Sequence, residues 1–175
     1  MVLAFCIWFS YAVLGFIPGG ESLYERHEKR TQKTLSKLYE GQQLSIVKLS
    51  IEPLPEQTAS ALEIYTVSNE QDMLQAYMCL NEAPSKVDTF TYLVLYDSSM
   101  NVIHVAVLEY KENYGGEISS KRFLRQFQGS NGNKALEMSV DVDGISGATI
   151  SVQSILLSIN ELNQNMLQLK ENGVL

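Results

Sequence analysis

The sequence predicts an α+β domain in which an antiparallel sheet is covered by helices. Three observations carry this reading. Apolar runs at 90–96 and 102–110 flank Asp97-Ser98-Ser99-Met100-Asn101, the pattern of a β-hairpin. Shorter runs upstream alternate apolar and polar residues, as half-buried strands do. Beyond residue 149, Val152, Ile155, Leu156, Ile159, Leu162, Met166 and Leu169 recur at helical spacing.

The chain has 175 residues, 45% apolar and 19% charged, which allows one domain with a sizeable core and a short extension. Its net charge of −7, with no Lys/Arg cluster among aromatics, argues against a nucleic-acid partner. Cys6 and Cys79 are too few for a disulfide framework. His27 and His104 lack the spacing of a zinc site, and His104, inside the apolar run 102–108, reads as a strand histidine.

Residues 1–18 carry no charged side chain and include Phe5, Trp8 and Phe16. Such a run suits the core of a signal peptide or a membrane anchor. No Lys or Arg precedes it and no Ala-x-Ala site follows, so a buried helix of the domain stays open as a third reading. Residues 21–40 read as a charged helix whose apolar side is Leu23, Leu35, Leu38 and Tyr39. Arg26, Lys29, Arg30, Lys33 and Lys37 interleave with Glu21, Glu25, Glu28 and Glu40, the pattern of a solvated face. The expected organisation is therefore a signal peptide or anchor at 1–20, a charged helix at 21–45 and the folded domain at 46–175.

Val47, Leu49 and Ile51 alternate with Lys48 and Ser50 in a strand that Pro53 and Pro55 end. Further strands are expected at 62–67 and 73–80, with 81–88 as a loop containing Pro84. After the hairpin, Glu112-Asn113-Tyr114-Gly115-Gly116-Glu117 places two glycines at a strand end. There a flat group can approach the backbone, or the chain simply turns. Phe123, Leu124 and Phe127 mark a short helix, and the alternation at 136–142 predicts one more strand.

That strand would lead into Asp143-Gly144-Ile145-Ser146-Gly147-Ala148-Thr149 and then directly into the long helix. A helix start offers unpaired N–H groups and the positive end of the helix dipole, which suit an anion such as phosphate. Gly144 and Gly147 permit positive φ and close approach, Ala148 keeps the surface low, and Ser146, Thr149 and Ser151 add hydroxyls. A plain turn capped by Asp143 or Ser146 uses the same residues, and local physics leaves both readings open.

Asp143-x-x-Ser146-Gly147-Ala148-Thr149 resembles the flavinylation motif of the FMN-binding domain family. That family includes covalently flavinylated components of the sodium-pumping NADH:quinone reductase and of the related Rnf electron-transport complex. Ordinary residue usage would produce such a pattern in roughly one in a thousand chains of this length, so the match is fairly specific. The resemblance runs through residues 70–170. The family's Glu-Thr-x-Gly-x-Gly loop corresponds to Glu112–Glu117, where Asn113 and Tyr114 intervene and Gly115 and Gly116 are adjacent. The Gly-Gly-Glu version, followed by Phe-Leu-x-Gln-Phe-x-Gly from Phe123 to Gly129, is similar to single-domain bacterial members of the Bacteroidota type.

This resemblance implies a fold of the FMN-binding domain type. It implies FMN held by Asp143, Gly144, Ile145, Ser146, Gly147, Ala148 and Thr149, with Tyr114, Gly115, Gly116 and Glu117 at the flavin ring. Thr149 would carry the FMN through a phosphoester made by a separate flavin transferase, with FAD as donor and magnesium. The protein would be an electron carrier or accessory redox subunit rather than a complete oxidoreductase, exchanging electrons with partner proteins. It would lie outside the cytoplasmic membrane, in the periplasm or at the cell surface, anchored through residues 1–18 or secreted. The basic residues just after that run point the other way by the charge rule, although the interleaved glutamates leave the stretch nearly neutral. Two other functions use the same residues: a flavin-free secreted or tethered scaffold module of the same fold, and a domain that holds flavin without a covalent bond. No nucleophile–base pair, metal cluster or dinucleotide fingerprint suggests a second, substrate-transforming site.

Overall fold

The computed structural model describes residues 20–40, 42–51 and 62–175. Five strands form one antiparallel sheet in sequential order: β1 (Ser45–Lys48), β2 (Glu63–Ser68), β3 (Leu74–Pro84), β4 (Thr89–Tyr96) and β5 (Val102–Glu109). Helix α1 (Leu23–Leu38) precedes them; the short α2 (Lys121–Leu124) and the 23-residue α3 (Thr149–Glu171) follow. The α+β expectation holds. The signal or anchor expected at 1–18 and the terminating prolines Pro53 and Pro55 fall outside the described residues.

β4 lies inside the sheet, and every residue after Thr89 is buried. Its side chains serve the two faces alternately. Tyr92, Val94 and Tyr96 join Cys79 and Phe90 beneath α3, where Val152, Ile155, Ile159, Leu162 and Met166 pack. Leu93 and Leu95, with Met78, Leu80 and Leu108, face α1 through Leu23 and Leu35. Burial of each large apolar side chain contributes about 1.5–3 kcal/mol, so the two helices hold the sheet mainly through these rows. At the sheet end, Asp97 Oδ1 accepts from the Ser99 and Asn101 amides at 2.8 and 2.9 Å, and Met100 turns the chain at φ 63°. The predicted hairpin forms as read.

A polar group also holds α3 in register. The Tyr96 hydroxyl donates to Asn163 Oδ1 at 2.8 Å, and Asn163 Nδ2 donates to Ser130 Oγ at 3.0 Å. Nearby, the Cβ of an alanine at Gly132 would lie 2.7 Å from the Asn163 carbonyl, so the 130–132 turn seats directly on the helix.

Four readings need correction. β3 continues through Asn81 to Pro84, because Asn81, Glu82 and Ala83 pair with Tyr92, Thr91 and Phe90; Pro84 is tolerated as the last residue. The loop is therefore only 85–88. Residues 136–142 are not a strand. The Glu137 carbonyl accepts from Asp141 and Val142, the Asp141 carboxylate accepts from the Glu137 amide at 2.9 Å, and Ser139 has φ 63°. These local bonds curl the segment into a turn in which one isolated bridge, Met138 to Val142, is all that remains of strand pairing. The strand read at 47–51 ends at Lys48 on the sheet edge, and Val47 is exposed.

The buried side of α1 also differs from the sequence reading. Leu38 is exposed, while His27 and Thr31 are buried between Leu23 and Leu35, one helical turn apart. The Ser22–Glu25 capping box starts this helix, and His27 interrupts it with φ −117° and ψ 17°.

Candidate functional site

After β5 the chain runs through Tyr110 into the Gly-rich loop. Glu112 anchors the loop's start: one carboxylate oxygen accepts from Ser85 Oγ and from the Val87 amide, both at 2.7 Å. The Ser85 bond, followed by the Val87 amide, draws the Glu112 carboxyl below its ordinary value. The loop then closes on the start of α3. Gly115 is buried at φ 76°, and a Cβ placed there would lie 2.5 Å from Ala148 Cβ. Two predicted site segments, far apart in sequence, therefore touch at Gly115 and Ala148.

Tyr110 braces this junction. Its hydroxyl donates to the Tyr114 carbonyl at 3.2 Å and lies 3.1 Å from Ser151 Oγ, on the first turn of α3. With the phenol proton on Tyr114, the serine hydroxyl is the donor in the second bond. The Tyr110 ring meets Phe90 edge-on at 5.7 Å between centroids.

Helix α3 begins at Thr149 with Ala148 as its N-cap, and no side chain caps it. Neither Asp143 nor Ser146 takes the capping role that the plain-turn reading offered. The Asp143 amide donates to Gln126 Oε1 at 2.8 Å, and the Ala148 amide donates to the Ile145 carbonyl at 3.1 Å. Gly147 has φ 81°, as expected; Gly144 does not adopt positive φ. The first-turn amides thus start a long helix behind a turn of small residues, the arrangement that accepts an anion. Of the three hydroxyls at the turn, Ser146 and Thr149 are exposed, whereas Ser151 is 3% exposed and engaged by Tyr110.

Beside the turn lies a cleft of about 390 Å³ whose walls include Glu117, Arg122, Phe123, Gln126, Asp143 and Ile145. Small-molecule clefts usually measure ~300–1,000 Å³. Of the predicted residues, Glu117, Asp143, Gly144 and Ile145 line it. Gly115 and Ala148 form the adjoining contact, and Gly116, Ser146, Gly147 and Thr149 are exposed nearby in sequence. Tyr114 is 82% exposed and contributes its backbone carbonyl rather than a packed ring. Sequence reading did not assign Arg122, Phe123, Gln126 or Tyr110 to the site. Phe123 and Gln126 lie within the Phe-Leu-x-Gln-Phe-x-Gly segment that carried part of the resemblance, and that was their signal.

The fold is an α+β domain, and this corner is an uncapped helix start behind a turn of small residues. The family model described as the FMN-binding domain matches residues 85–164, from the β3–β4 turn into α3. Among solved structures, the crystal structure of Shewanella oneidensis NqrC is similar with a TM-score of 0.59 and 13% sequence identity. The alignment covers 83% of this chain and 99% of that one, which shows a shared fold. No curated protein matches significantly. The residues present suit FMN. The uncapped start of α3 with Gly147 behind it fits the phosphate, and the open cleft beside Gly144 and Ile145 has room for a flavin ring.

Proposed function

We propose that this protein is an electron carrier with FMN attached through a phosphoester to Thr149. The observation that supports it is the contrast among the hydroxyls: Thr149 is exposed at the uncapped first turn of α3, while Ser151 is buried against Tyr110. In the attachment step the Thr149 oxygen bonds to the phosphorus of the FMN half of FAD. The bond to the AMP half breaks, and the threonine proton leaves with the AMP. A flavin transferase with magnesium catalyses this. When bound, the flavin supplies the redox chemistry. The chain's own residues bind and orient it. The first-turn amides of α3 hold the phosphate, worth up to ~1–2 kcal/mol for a charge at a helix start. Gly116 leaves the backbone open to the ring, Gly115 lets the loop close on Ala148, and Phe123 and Ile145 give the cleft apolar wall.

The test is mass spectrometry of denatured protein co-expressed with a flavin transferase. Wild type retains the mass of FMN after unfolding and Thr149→Val does not. Flavin mapped to Ser146 or Ser151, or flavin lost on denaturation of wild type, refutes the covalent assignment.

The same reading places the domain outside the cytoplasmic membrane, where the transferase and redox partners would meet it, with residues 1–18 as leader or anchor. The uncharged run and the flavinylation motif support this, and the basic residues of 21–40 oppose it. No helix among the described residues is long and apolar enough to cross a membrane. Protease added to intact spheroplasts decides the point: digestion of the domain supports export, and full protection until lysis reverses it.

A further inference from the structure

We propose that Tyr110 is a positioning residue of the FMN site, a clamp whose single hydroxyl sets the separation between the Gly-rich loop and the first turn of α3. The proposal rests on the reading that these two segments hold opposite ends of FMN. The phosphate end belongs to the start of α3 and the ring end to the loop and the adjoining cleft, so the spacing of the two segments governs how one ligand meets both.

Three contacts carry the argument. Tyr110 Oη reaches the Tyr114 carbonyl at 3.2 Å and Ser151 Oγ at 3.1 Å, so one atom joins both segments. The Cβ position at Gly115 is 3.2 Å from that same oxygen and 2.5 Å from Ala148 Cβ, so only a glycine lets the loop pass between the phenol and α3. The phenol ring is itself held, edge-on to Phe90, which is 1% exposed. A hydroxyl fixed from the sheet side and bonded to two segments defines their distance, as an unattached loop would not. Ser151 then has a use apart from ligand contact: it is the anchor point for the clamp on α3.

The test uses the full chain isolated without flavin, titrated with FMN by fluorescence quenching, and then the midpoint potential of the bound flavin. Tyr110→Phe keeps the ring on Phe90 and removes only the oxygen. It should melt close to wild type, bind FMN about fivefold more weakly, ~1 kcal/mol, and shift the potential. Ser151→Ala cuts the same bridge at its other end and should move affinity and potential in the same direction. The double variant should be little worse than Tyr110→Phe alone, because that variant already removes the bond that Ser151→Ala cuts. Unchanged affinity and potential in folded Tyr110→Phe, or in Ser151→Ala if the first variant fails to fold, overturns the clamp, and so does full additivity. Wild type that neither quenches FMN fluorescence nor takes up flavin when co-expressed with a flavin transferase overturns the FMN reading and the clamp together, and wild type that takes up flavin only with the transferase is judged on the potential alone. Wild-type binding with unmoved variants overturns the clamp alone.

Discussion

Gly115 and Ala148 meet with no room for a side chain between them: a Cβ on Gly115 would stand 2.5 Å from Ala148 Cβ and 3.2 Å from its Cα. The backbone at Gly115 is also left-handed, at φ 76°. Both facts predict the same substitution outcome. Gly115→Ala combines a conformational cost of about 1–2 kcal/mol with overpacking of about 1–3 kcal/mol. Urea unfolding should show a loss of at least ~2 kcal/mol. At Gly116 a Cβ meets nothing within 4 Å, so Gly116→Val should stay within about 1 kcal/mol of wild type. It should still disturb the absorption spectrum or potential of bound flavin, since the added side chain occupies the open space at the loop. Equal stability losses at the two glycines would contradict this account.

Lowering the pH through the histidine range should destabilise the protein. His27 is 6% exposed with Nε2 unpartnered, and burial draws its pKa below the ordinary 6.5; Arg30 and Arg26 act the same way, against Glu109 and Glu82. His104 is lowered too, by burial and then by the charge of Lys121. A depressed folded pKa means that the unfolded chain binds more protons below pH 6.5. Stability is therefore flat above 6.5 and falls as pH drops toward the folded values. Urea melts of wild type and His27→Leu at pH 7.5 and 5.5 check the sign: the variant should lose less stability between the two.

Cys79 should resist thiol reagents in the native protein. It is 0% exposed beneath α3, 3.5 Å from Met166 Sδ, and burial pushes its thiol pKa far up. Alkylation read at the Cys79 peptide by mass spectrometry should follow the global unfolding curve in urea. Labelling well below the transition would mean that α3 lifts from the sheet on its own.

Asn163→Ala should cost about 1–3 kcal/mol, because it leaves the buried Tyr96 hydroxyl without its acceptor. Adding Tyr96→Phe should recover part of that loss, since the orphaned group is then gone. A double variant as unstable as the sum of the singles would show that the bond has no role.

What could be read from the sequence depended on the range of the forces involved. The hairpin at 97–101 and the helix from Thr149 are set by short-range turn chemistry and by unbroken apolar spacing, and both formed as read. The turn at 136–142 carries the alternation of a strand, but the Asp141 carboxylate takes the Glu137 amide locally, which a strand would give to a neighbour. His27 and Thr31 sit at helical spacing with Leu23 and Leu35, yet a pattern that counts only apolar residues passes over them. At the site, the turn before α3 and the Gly-rich loop were each identifiable by their own residues. Their contact was not, because nothing local to Gly115 names Ala148 as its neighbour. Tyr110 was hidden for the opposite reason: it reads as the last residue of an apolar run, and only the fold reveals two polar partners for its hydroxyl.

The sheet order has a consequence for biosynthesis. Every strand pairs with the one made just before it, so the meander can grow hairpin by hairpin as the polypeptide lengthens. The face bearing Cys79, Tyr92, Val94 and Tyr96 stays wet until α3, synthesised after all five strands, settles on it. The same docking event brings Ala148 under Gly115 and Ser151 to Tyr110. The corner between the loop and the start of α3 therefore exists only in a chain whose last element has docked, and any ligand held by both segments would report that folding is complete.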